Sequence, residues 1–242
     1  MGSTPQKPSQ KPSQTPPPAS EHGGPLLTAD AYLLDVDGTL VDSNYLHVIA
    51  WQRALRDVDT DAPAASIHAA IGLDSDKLLD RIVPDADDEL RERILSGHSV
   101  HYGDLSDELR LLPGARDLLR VLHERGVRVV LATSAPQEEV DRQLAVLDAE
   151  QWIDAVTTAE DVQTAKPEPD VFDVAIERAG VPAERCVAIG DARWDVIAAA
   201  KAGVTAVAVE TGGTDRPVLT EAGAVSVFRG VQEIVDLLQS SP

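Results

Sequence analysis

Short apolar runs alternate with amphipathic stretches along the chain from Leu26 onward. The runs are brief, contain many valine and alanine residues, and are each followed by a turn or helix signal, which is typical of buried strands. The pattern predicts strands at Ala31–Leu34, Val127–Ala132, Ala155–Thr157, Val187–Ile189, Ala206–Val209 and Ala224–Phe228.

Amphipathic segments with helical spacing separate most of these runs. One segment starts at Pro113, carries Leu118, Leu119 and Leu122 at helical spacing, and stops at Gly126. Similar signals predict further helices at Pro136–Leu147, Asp170–Ala179, Trp194–Ala202 and Val231–Leu238. Strands and helices in this alternating order predict an α/β fold with a parallel sheet and helices on both faces.

Two regions depart from this alternation. Residues 43–110 show helical spacing without a convincing strand, and turn-forming residues divide them, so we predict a small helical domain there. The α/β core is then expected at 26–42 and 111–242. Residues 1–25 are rich in Pro, Ser and Gln and repeat the sequence KPSQ. They predict a disordered tail, with a proline-rich docking site as the alternative.

Composition and charge narrow the classes of partner. Hydrophobic residues make up 43% of the chain and aromatic residues 3%, so the core must consist mainly of Ala, Val, Leu and Ile. The 21 basic and 41 acidic residues give a net charge of −20, which disfavours nucleic acid and anionic membranes. Solubility alone can explain this acidity. An anionic substrate stays open, because a bound cation can invert the local field.

The single cysteine, Cys186, lies in an apolar run, which predicts a buried and inert thiol. No apolar run approaches the ~18 residues of a membrane span, and no apolar stretch typical of a secretory signal is visible. We therefore expect a cytoplasmic protein, and the sequence leaves both a monomer and a homodimer open.

The sequence YLLDVDGTLVD places Asp35 and Asp37 at the end of the first predicted strand. Carboxylates are rarely buried at such a position. Other polar residues follow the later strands, namely Thr133, Ser134, Lys166, Asp191 and Asp195. Because ligands bind beyond the carboxyl ends of parallel strands, we expect these residues to share one cleft.

Carboxylates gathered in one cleft repel each other and take up protons unless a cation neutralises them. No histidine or cysteine adjoins them, and oxygen ligands alone favour a hard ion such as Mg²⁺. A metal and a lysine can hold a phosphoryl group while a carboxylate attacks it. Alternation of side chains places Asp35 and Asp37 on a common side, so that one can attack while the other handles the proton of the leaving group.

Four segments, in this order, resemble the motifs of the haloacid dehalogenase-like hydrolase superfamily. They are DVDGTL from Asp35, Thr133-Ser134, Lys166-Pro167, and Gly190-Asp191 followed by Asp195. The resemblance covers about residues 27–239, and residues 43–110 stand where subfamily I has its helical cap. It implies a Rossmann-like doubly wound core with an inserted α-helical cap, in the branch of phosphoglycolate phosphatases and β-phosphoglucomutase-like proteins.

The resemblance also implies roles for single residues. Asp35 matches the nucleophile that becomes an aspartyl phosphate and also binds Mg²⁺. Asp37 matches the general acid and base, and its backbone carbonyl matches a metal ligand. Thr133 and Ser134 match the groups that bind the transferring phosphoryl group. Lys166 matches the lysine that offsets charge on the nucleophile and the phosphate.

Asp191 matches the metal-binding aspartate of the fourth motif, and Asp195 matches an acid that binds the metal or supports its ligands. Family members commonly carry Ser or Thr where this chain has Ala192, which removes one hydrogen bond. Simpler explanations stay open, such as a helix cap for Thr133 or a favourable helix N-terminus for Asp195.

The implied function is Mg²⁺-dependent hydrolysis of a small phosphorylated metabolite, with a phosphosugar mutase as the alternative. Mutases of the β-phosphoglucomutase type tend to have Glu and Arg where this chain has Gly190 and Ser75. Dehalogenases and phosphonate hydrolases generally lack the acid that Asp37 provides. A catalytically idle binding protein is a further alternative. Phosphoglycolate, a sugar phosphate and a nucleotide are all compatible substrates.

The helical insertion contains four histidines, among them His47, His98 and His101. His47 is predicted to be a partly packed residue of its helix, with substrate contact as the alternative. His98 and His101 have helical spacing, but no nearby acid or cysteine completes a metal site. We therefore predict that they belong to a solvated helix face.

Overall fold

The computed structural model of the protein describes residues 24–164 and 166–241. Six parallel strands form its central sheet, at the six predicted positions. The strands are β1 (Ala31–Leu34), β2 (Arg128–Leu131), β3 (Ala155–Val156), β4 (Cys186–Gly190), β5 (Thr205–Val209) and β6 (Ser226–Phe228). Their spatial order is β3-β2-β1-β4-β5-β6, so the chain builds one half of the sheet and then returns to build the other, as in doubly wound folds.

The helices that flank the sheet match the predicted ones closely. Within the described residues, the α-helices are α1 (Gly24–Thr28), α2 (Asn44–Arg56), α3 (Ala64–His68), α4 (Ser75–Ile82), α5 (Asp88–Gly103), α6 (Ala115–Glu124), α7 (Gln137–Leu147), α8 (Asp170–Ala179), α9 (Arg193–Lys201), α10 (Arg216–Ala222) and α11 (Val231–Ser240). The five core helices predicted from the sequence are α6, α7, α8, α9 and α11, and their ends lie within two residues of the predicted ends.

Alternate residues of the central strand β1 pack on opposite faces of the sheet. Tyr32 and Leu34 join an apolar cluster that includes residues of α6 and α11. Ala31 and Leu33 join a second cluster, which includes residues of α8 and α9. The prediction of a doubly wound α/β core is therefore confirmed, and its strands direct their carboxyl ends toward one edge.

The segment between β1 and α6 contains the helices α2 to α5 and no strand. Trp51, Leu55, Leu79 and Ile94 belong to a third apolar cluster, separate from the two that cover the sheet. A separate core of this kind is what an inserted cap requires. The division of the chain into a core and a cap domain stays a prediction.

Two short helices, α1 and α10, lie where the sequence pattern predicts none. Helix α1 includes residues 24 and 25, which the sequence assigned to the disordered tail. Residues 1–23 of that tail lie outside the described residues. Leu26 of α1 is buried, and its carbonyl accepts a hydrogen bond from the Tyr32 hydroxyl. In α10, Leu219 is the buried residue. Each helix therefore buries a single side chain, which leaves no periodic apolar pattern in the sequence.

Cys186 is buried in β4, as the sequence predicts. Burial raises the pKa of its thiol to about 11, so little reactive thiolate forms at neutral pH. Among residues 24–164 and 166–241, no helix combines the length and the apolar character that crossing a membrane requires.

Candidate active site

Three buried carboxylates converge at the carboxyl edge of the sheet. Asp35 follows β1 and Asp191 follows β4, and these two strands are neighbours. Asp195 lies in the first turn of α9. One carboxylate oxygen from each residue lies within 4.8 Å of the others, and none of the three residues is more than 7% exposed. We refer to Asp35, Asp191 and Asp195 as the acidic group.

Lys166 lies between two members of the acidic group. Its Nζ is 2.5 Å from Asp35 Oδ1 and 2.6 Å from Asp195 Oδ1, and it donates to the Ala132 carbonyl at 3.2 Å. Burial alone would lower the pKa of this ammonium group, but the charges of Asp195 and Asp35 outweigh burial and raise it. Lys166 therefore stays positively charged beside Asp35.

Three carboxyl groups face one ammonium group here, so the region is negative when all of them are ionised. Burial, followed by the charge of Asp195, raises the pKa of Asp35 to about 7. The same causes raise the pKa of Asp191 well above its usual range. The acidic group offers oxygen donors only, so these residues fit a hard divalent cation such as Mg²⁺, which would offset the excess charge.

Three residues that sequence reasoning missed hold these carboxylates in place. The Thr39 hydroxyl lies 3.3 Å from Asp35 Oδ2 and 3.2 Å from Asp191 Oδ1, and Asn44 Nδ2 donates to Asp191 Oδ2 at 2.9 Å. A Cβ at Gly212 would fall 1.6 Å from Asp191 Oδ2, so only glycine fits there. The first motif contains Thr39 and could have indicated it, whereas no local pattern marks Asn44 or Gly212.

Asp37 has different surroundings from the acidic group. Its Oδ1 accepts hydrogen bonds from Ser43 Oγ and, at 2.6 Å, from Gln143 Nε2, and it lies 3.4 Å from His47 Nε2. Burial alone would raise the pKa of Asp37, but the hydrogen bond and charge of His47 outweigh burial and lower it. The Asp37 carboxylate is not part of the acidic group, and metal binding by its backbone carbonyl stays a prediction.

His47 and His98 form a stacked pair between α2 and α5. His47 Nδ1 is 3.2 Å from His98 Nε2, and the ring centroids of His98 and Trp51 are 4.1 Å apart. His98 is only 7% exposed. The predicted solvated face is therefore wrong for His98, because this face of α5 packs against α2. His101, almost one turn later, contacts the exposed carboxylate of Asp57 at 2.6 Å.

Thr133 and Ser134 occupy the loop between β2 and α7. The Thr133 hydroxyl accepts a hydrogen bond from the Ala135 N–H at 3.0 Å, and α7 begins after Pro136 without a side-chain cap. The Thr133 hydroxyl therefore does not cap α7, but its bond to the Ala135 N–H is a local turn contact, so a plain loop role stays open beside phosphoryl binding.

A cavity of about 670 Å³ adjoins these groups. The helical insertion contributes to its lining through residues 71–78. His47 also lines it, in agreement with the alternative of substrate contact. The residues predicted for the site all line this cavity, and they are Asp35, Asp37, Thr133, Ser134, Lys166, Asp191 and Asp195.

The family model for haloacid dehalogenase-like hydrolases matches residues 29–203. The chain belongs to this family. Among curated relatives, the phosphorylated carbohydrates phosphatase of Thermotoga maritima is 27% identical over 87% of this chain and 98% of its own length. The phosphoglycolate phosphatase of Pseudomonas savastanoi pv. phaseolicola is 30% identical over 81% of this chain and 75% of its own length.

Solved structures of this family of hydrolases share the fold. The crystal structure of a hydrolase from Pseudomonas syringae is similar with a TM-score of 0.83 at 32% sequence identity. The match covers 87% of this chain and 98% of that chain, so it includes both the sheet and the helical insertion.

Proposed function

We propose that this phosphoric monoester hydrolase transfers the phosphoryl group of a small phosphomonoester to Asp35 and then to water. The observation that carries the proposal is the position of the Asp35 carboxylate. It contacts Lys166 at 2.5 Å, belongs to the acidic group and lines the cavity. These are the surroundings that a carboxylate nucleophile for phosphoryl transfer requires.

The proposed reaction has two steps. In the first, an Asp35 oxygen bonds to phosphorus while the bond from phosphorus to the leaving oxygen breaks. Asp37 gives a proton to that oxygen, and the alcohol departs. In the second, Asp37 takes a proton from water, and the water oxygen attacks phosphorus and displaces the Asp35 carboxylate. Inorganic phosphate leaves, Asp37 passes the proton taken from water to His47, and both aspartates return to their starting states.

The surroundings of Asp37 support its proposed roles as the acid of the first step and the base of the second. Its lowered pKa keeps the carboxylate ready to accept a proton in the second step. The first step needs a proton on Asp37, and His47 is the adjacent source, with Nε2 3.4 Å from Asp37 Oδ1. Burial would lower the pKa of His47, but the hydrogen bond and charge of Asp37 outweigh burial and raise it.

The acidic group, together with the backbone carbonyl of Asp37, would hold Mg²⁺, which supplies positive charge to the oxygens of the phosphoryl group when bound. Lys166 is proposed to bind one of these oxygens and to limit repulsion between the phosphoryl group and Asp35. The Thr133 hydroxyl and the Ser134 N–H are proposed as further donors to the phosphoryl group.

A phosphosugar mutase has less support. Mutases of the β-phosphoglucomutase type tend to carry Glu at the position of Gly190, but a Cβ there would lie 2.5 Å from Asp195 Cβ and Oδ2. A larger residue would therefore displace Asp195. The curated relatives named above are called phosphatases of phosphorylated carbohydrates and of phosphoglycolate. These names support a small phosphorylated metabolite as the substrate.

Location and partners belong to the same proposal. The lone cysteine, with its buried thiol, supports a cytoplasmic protein. The net charge of −20 supports a protein that binds neither nucleic acid nor an anionic membrane. The assembly is proposed to be a monomer or a homodimer.

Turnover of p-nitrophenyl phosphate tests the proposed function. We expect release of p-nitrophenol in Mg²⁺, loss of turnover when EDTA removes the ion, and recovery when excess Mg²⁺ is restored. Circular dichroism before and after EDTA checks that the fold is retained. If the folded chain binds phosphoesters tightly but releases no p-nitrophenol in Mg²⁺, the proposal is wrong and the chain is an idle binding protein.

A further inference from the structure

Glu139 is a buried acid that the proposed reaction does not use. It lies in the first turn of α7, is 7% exposed and lines the cavity. Within residues 24–164 and 166–241, no donor forms a hydrogen bond to its carboxylate. Neither of its oxygens is among the fully enclosed side-chain atoms without a partner, so the carboxylate opens to the cavity. When it borders a cavity, a ligand that supplies donors can satisfy it.

The contacts of neighbouring residues place Glu139 on the side of the cavity where the leaving group would bind, rather than beside the phosphoryl group. Gln143, one turn later on the same face of α7, donates to Asp37 Oδ1 at 2.6 Å. Burial raises the pKa of the Glu139 carboxyl, the nearby charge of His47 opposes this rise, and the charge of Asp37 adds to it. Asp37 is proposed to protonate the leaving oxygen, so Glu139 lies where the remainder of the leaving group must fit.

The cavity lining beyond Glu139 offers many hydrogen-bonding groups and little positive charge. Its neutral polar residues from this region are Ser75, Ser99, Gln163 and Thr164. Asp74 and Asp76 add acids, and Lys77 adds a cation whose Nζ lies 3.2 Å from Asp74 Oδ2. None of the described residues that line the cavity is an arginine. Apart from His47, which adjoins Asp37, this part of the lining has three acids, Asp74, Asp76 and Glu139, against the single lysine Lys77.

We propose that Glu139 determines specificity by binding hydroxyl groups of a neutral sugar or polyol leaving group and by rejecting leaving groups with a second anion. The inference rests on the proposed phosphatase function and names its substrate class. A hydroxyl group can donate to the Glu139 carboxylate and satisfy it. A carboxylate on the leaving group would lie beside the ionised Glu139 and be repelled, or it would force Glu139 to take up a proton. Either outcome weakens binding of that substrate.

Two substrates of matched size test this inference on the unchanged chain. Glycerol 3-phosphate and 3-phosphoglycerate share their skeleton, but one ends in a hydroxymethyl group and the other in a carboxylate. We expect kcat/KM in Mg²⁺ to be about tenfold or more higher for the glycerol ester. An equal value, or a higher one for the glycerate ester, would overturn the inference and leave the phosphatase function intact. No turnover of either ester or of p-nitrophenyl phosphate would instead refute the proposed function.

Glu139→Gln and the matched control Glu138→Gln assign the preference to one side chain. Both remove a charge from the first turn of α7, but the Glu138 side chain is 79% exposed and pairs with Arg142. We expect Glu139→Gln to reduce the ratio of the two kcat/KM values by roughly tenfold, mainly by lowering KM for the glycerate ester. Glu138→Gln should leave the ratio unchanged.

Thermal unfolding verifies that both variants are folded. A Glu139→Gln variant that folds and keeps the wild-type ratio would contradict the inference, and so would an equal effect of Glu138→Gln. If Glu139→Gln does not fold, the comparison of the two esters on the unchanged chain still decides the inference.

Discussion

Asp35 and Asp37 are two residues apart and line the same cavity, yet their pKa values move in opposite directions. Burial and the charge of Asp195 together raise the pKa of Asp35 to about 7. Burial acts in the same direction on Asp37, but the hydrogen bond and charge of His47 outweigh it, and the pKa falls. The neighbours of a buried carboxylate, rather than burial alone, decide whether it stays ionised.

This difference in pKa reflects two kinds of surroundings, those of the acidic group and those of Asp37. The acidic group places three like charges together, and the single charge of Lys166 does not balance its fully ionised form. The surroundings of Asp37 supply their own donors through Ser43, His47 and Gln143. The first region is therefore suited to a cation and a nucleophile, and the second to proton transfer.

Substitution of Asp35 or Asp37 should have its largest effect on the rate of turnover. Asp35→Asn should reduce kcat/KM for p-nitrophenyl phosphate by at least about 10⁴-fold, because it removes the nucleophile. Asp37→Asn should reduce it by roughly 10²- to 10⁴-fold, the usual range for a general acid or base. The control Asp236→Asn, on the exposed face of α11, should be fully active. Substantial activity in a folded Asp35→Asn variant would defeat the assignment of the nucleophile.

A smaller effect, on thermal stability without metal, should differ in sign between the two regions. At neutral pH, the raised pKa of Asp191 means that its ionised form destabilises the fold, so Asp191→Asn should raise Tm. The lowered pKa of Asp37 means that its ionised form stabilises the fold, so Asp37→Asn should lower Tm. About 1 kcal/mol in either direction corresponds to roughly 2–4 °C for a chain of this size.

Calorimetry in EDTA measures both shifts, and repetition in Mg²⁺ provides the control. Ligand binding stabilises the folded state by mass action, so the wild-type Tm should rise in Mg²⁺ more than that of Asp191→Asn. Shifts of the same sign for both variants in EDTA would remove the contrast between the two regions.

The fold was predictable because its elements carry strong local signals. The bounds of β1 and α8 match the sequence prediction to the residue. The continuous apolar run of β1 and the amphipathic repeat of α8 are visible in the local sequence alone. The helices α1 and α10 escaped prediction because tertiary contacts, such as the burial of Leu26 and Leu219, define them.

The site was predictable only in part, for a related reason. The position of Asp35 and Asp191 at neighbouring strand ends follows from the parallel topology. Asn44, Gln143 and Gly212 come from separate loops and helices, and the tertiary fold alone brings them to the aspartates. The buried pairing of His98 with His47 likewise depends on the packing of α5 against α2, which helical spacing does not specify.

Trapping the phosphoryl group on the protein tests the central claim most directly. The chain is mixed with a radiolabelled phosphomonoester and Mg²⁺, quenched in acid within one turnover, digested and mapped. We predict label on the peptide that contains Asp35, and none after EDTA treatment or in Asp35→Asn. Label on a different residue, or rapid hydrolysis without any labelled protein, would contradict attack by the Asp35 carboxylate.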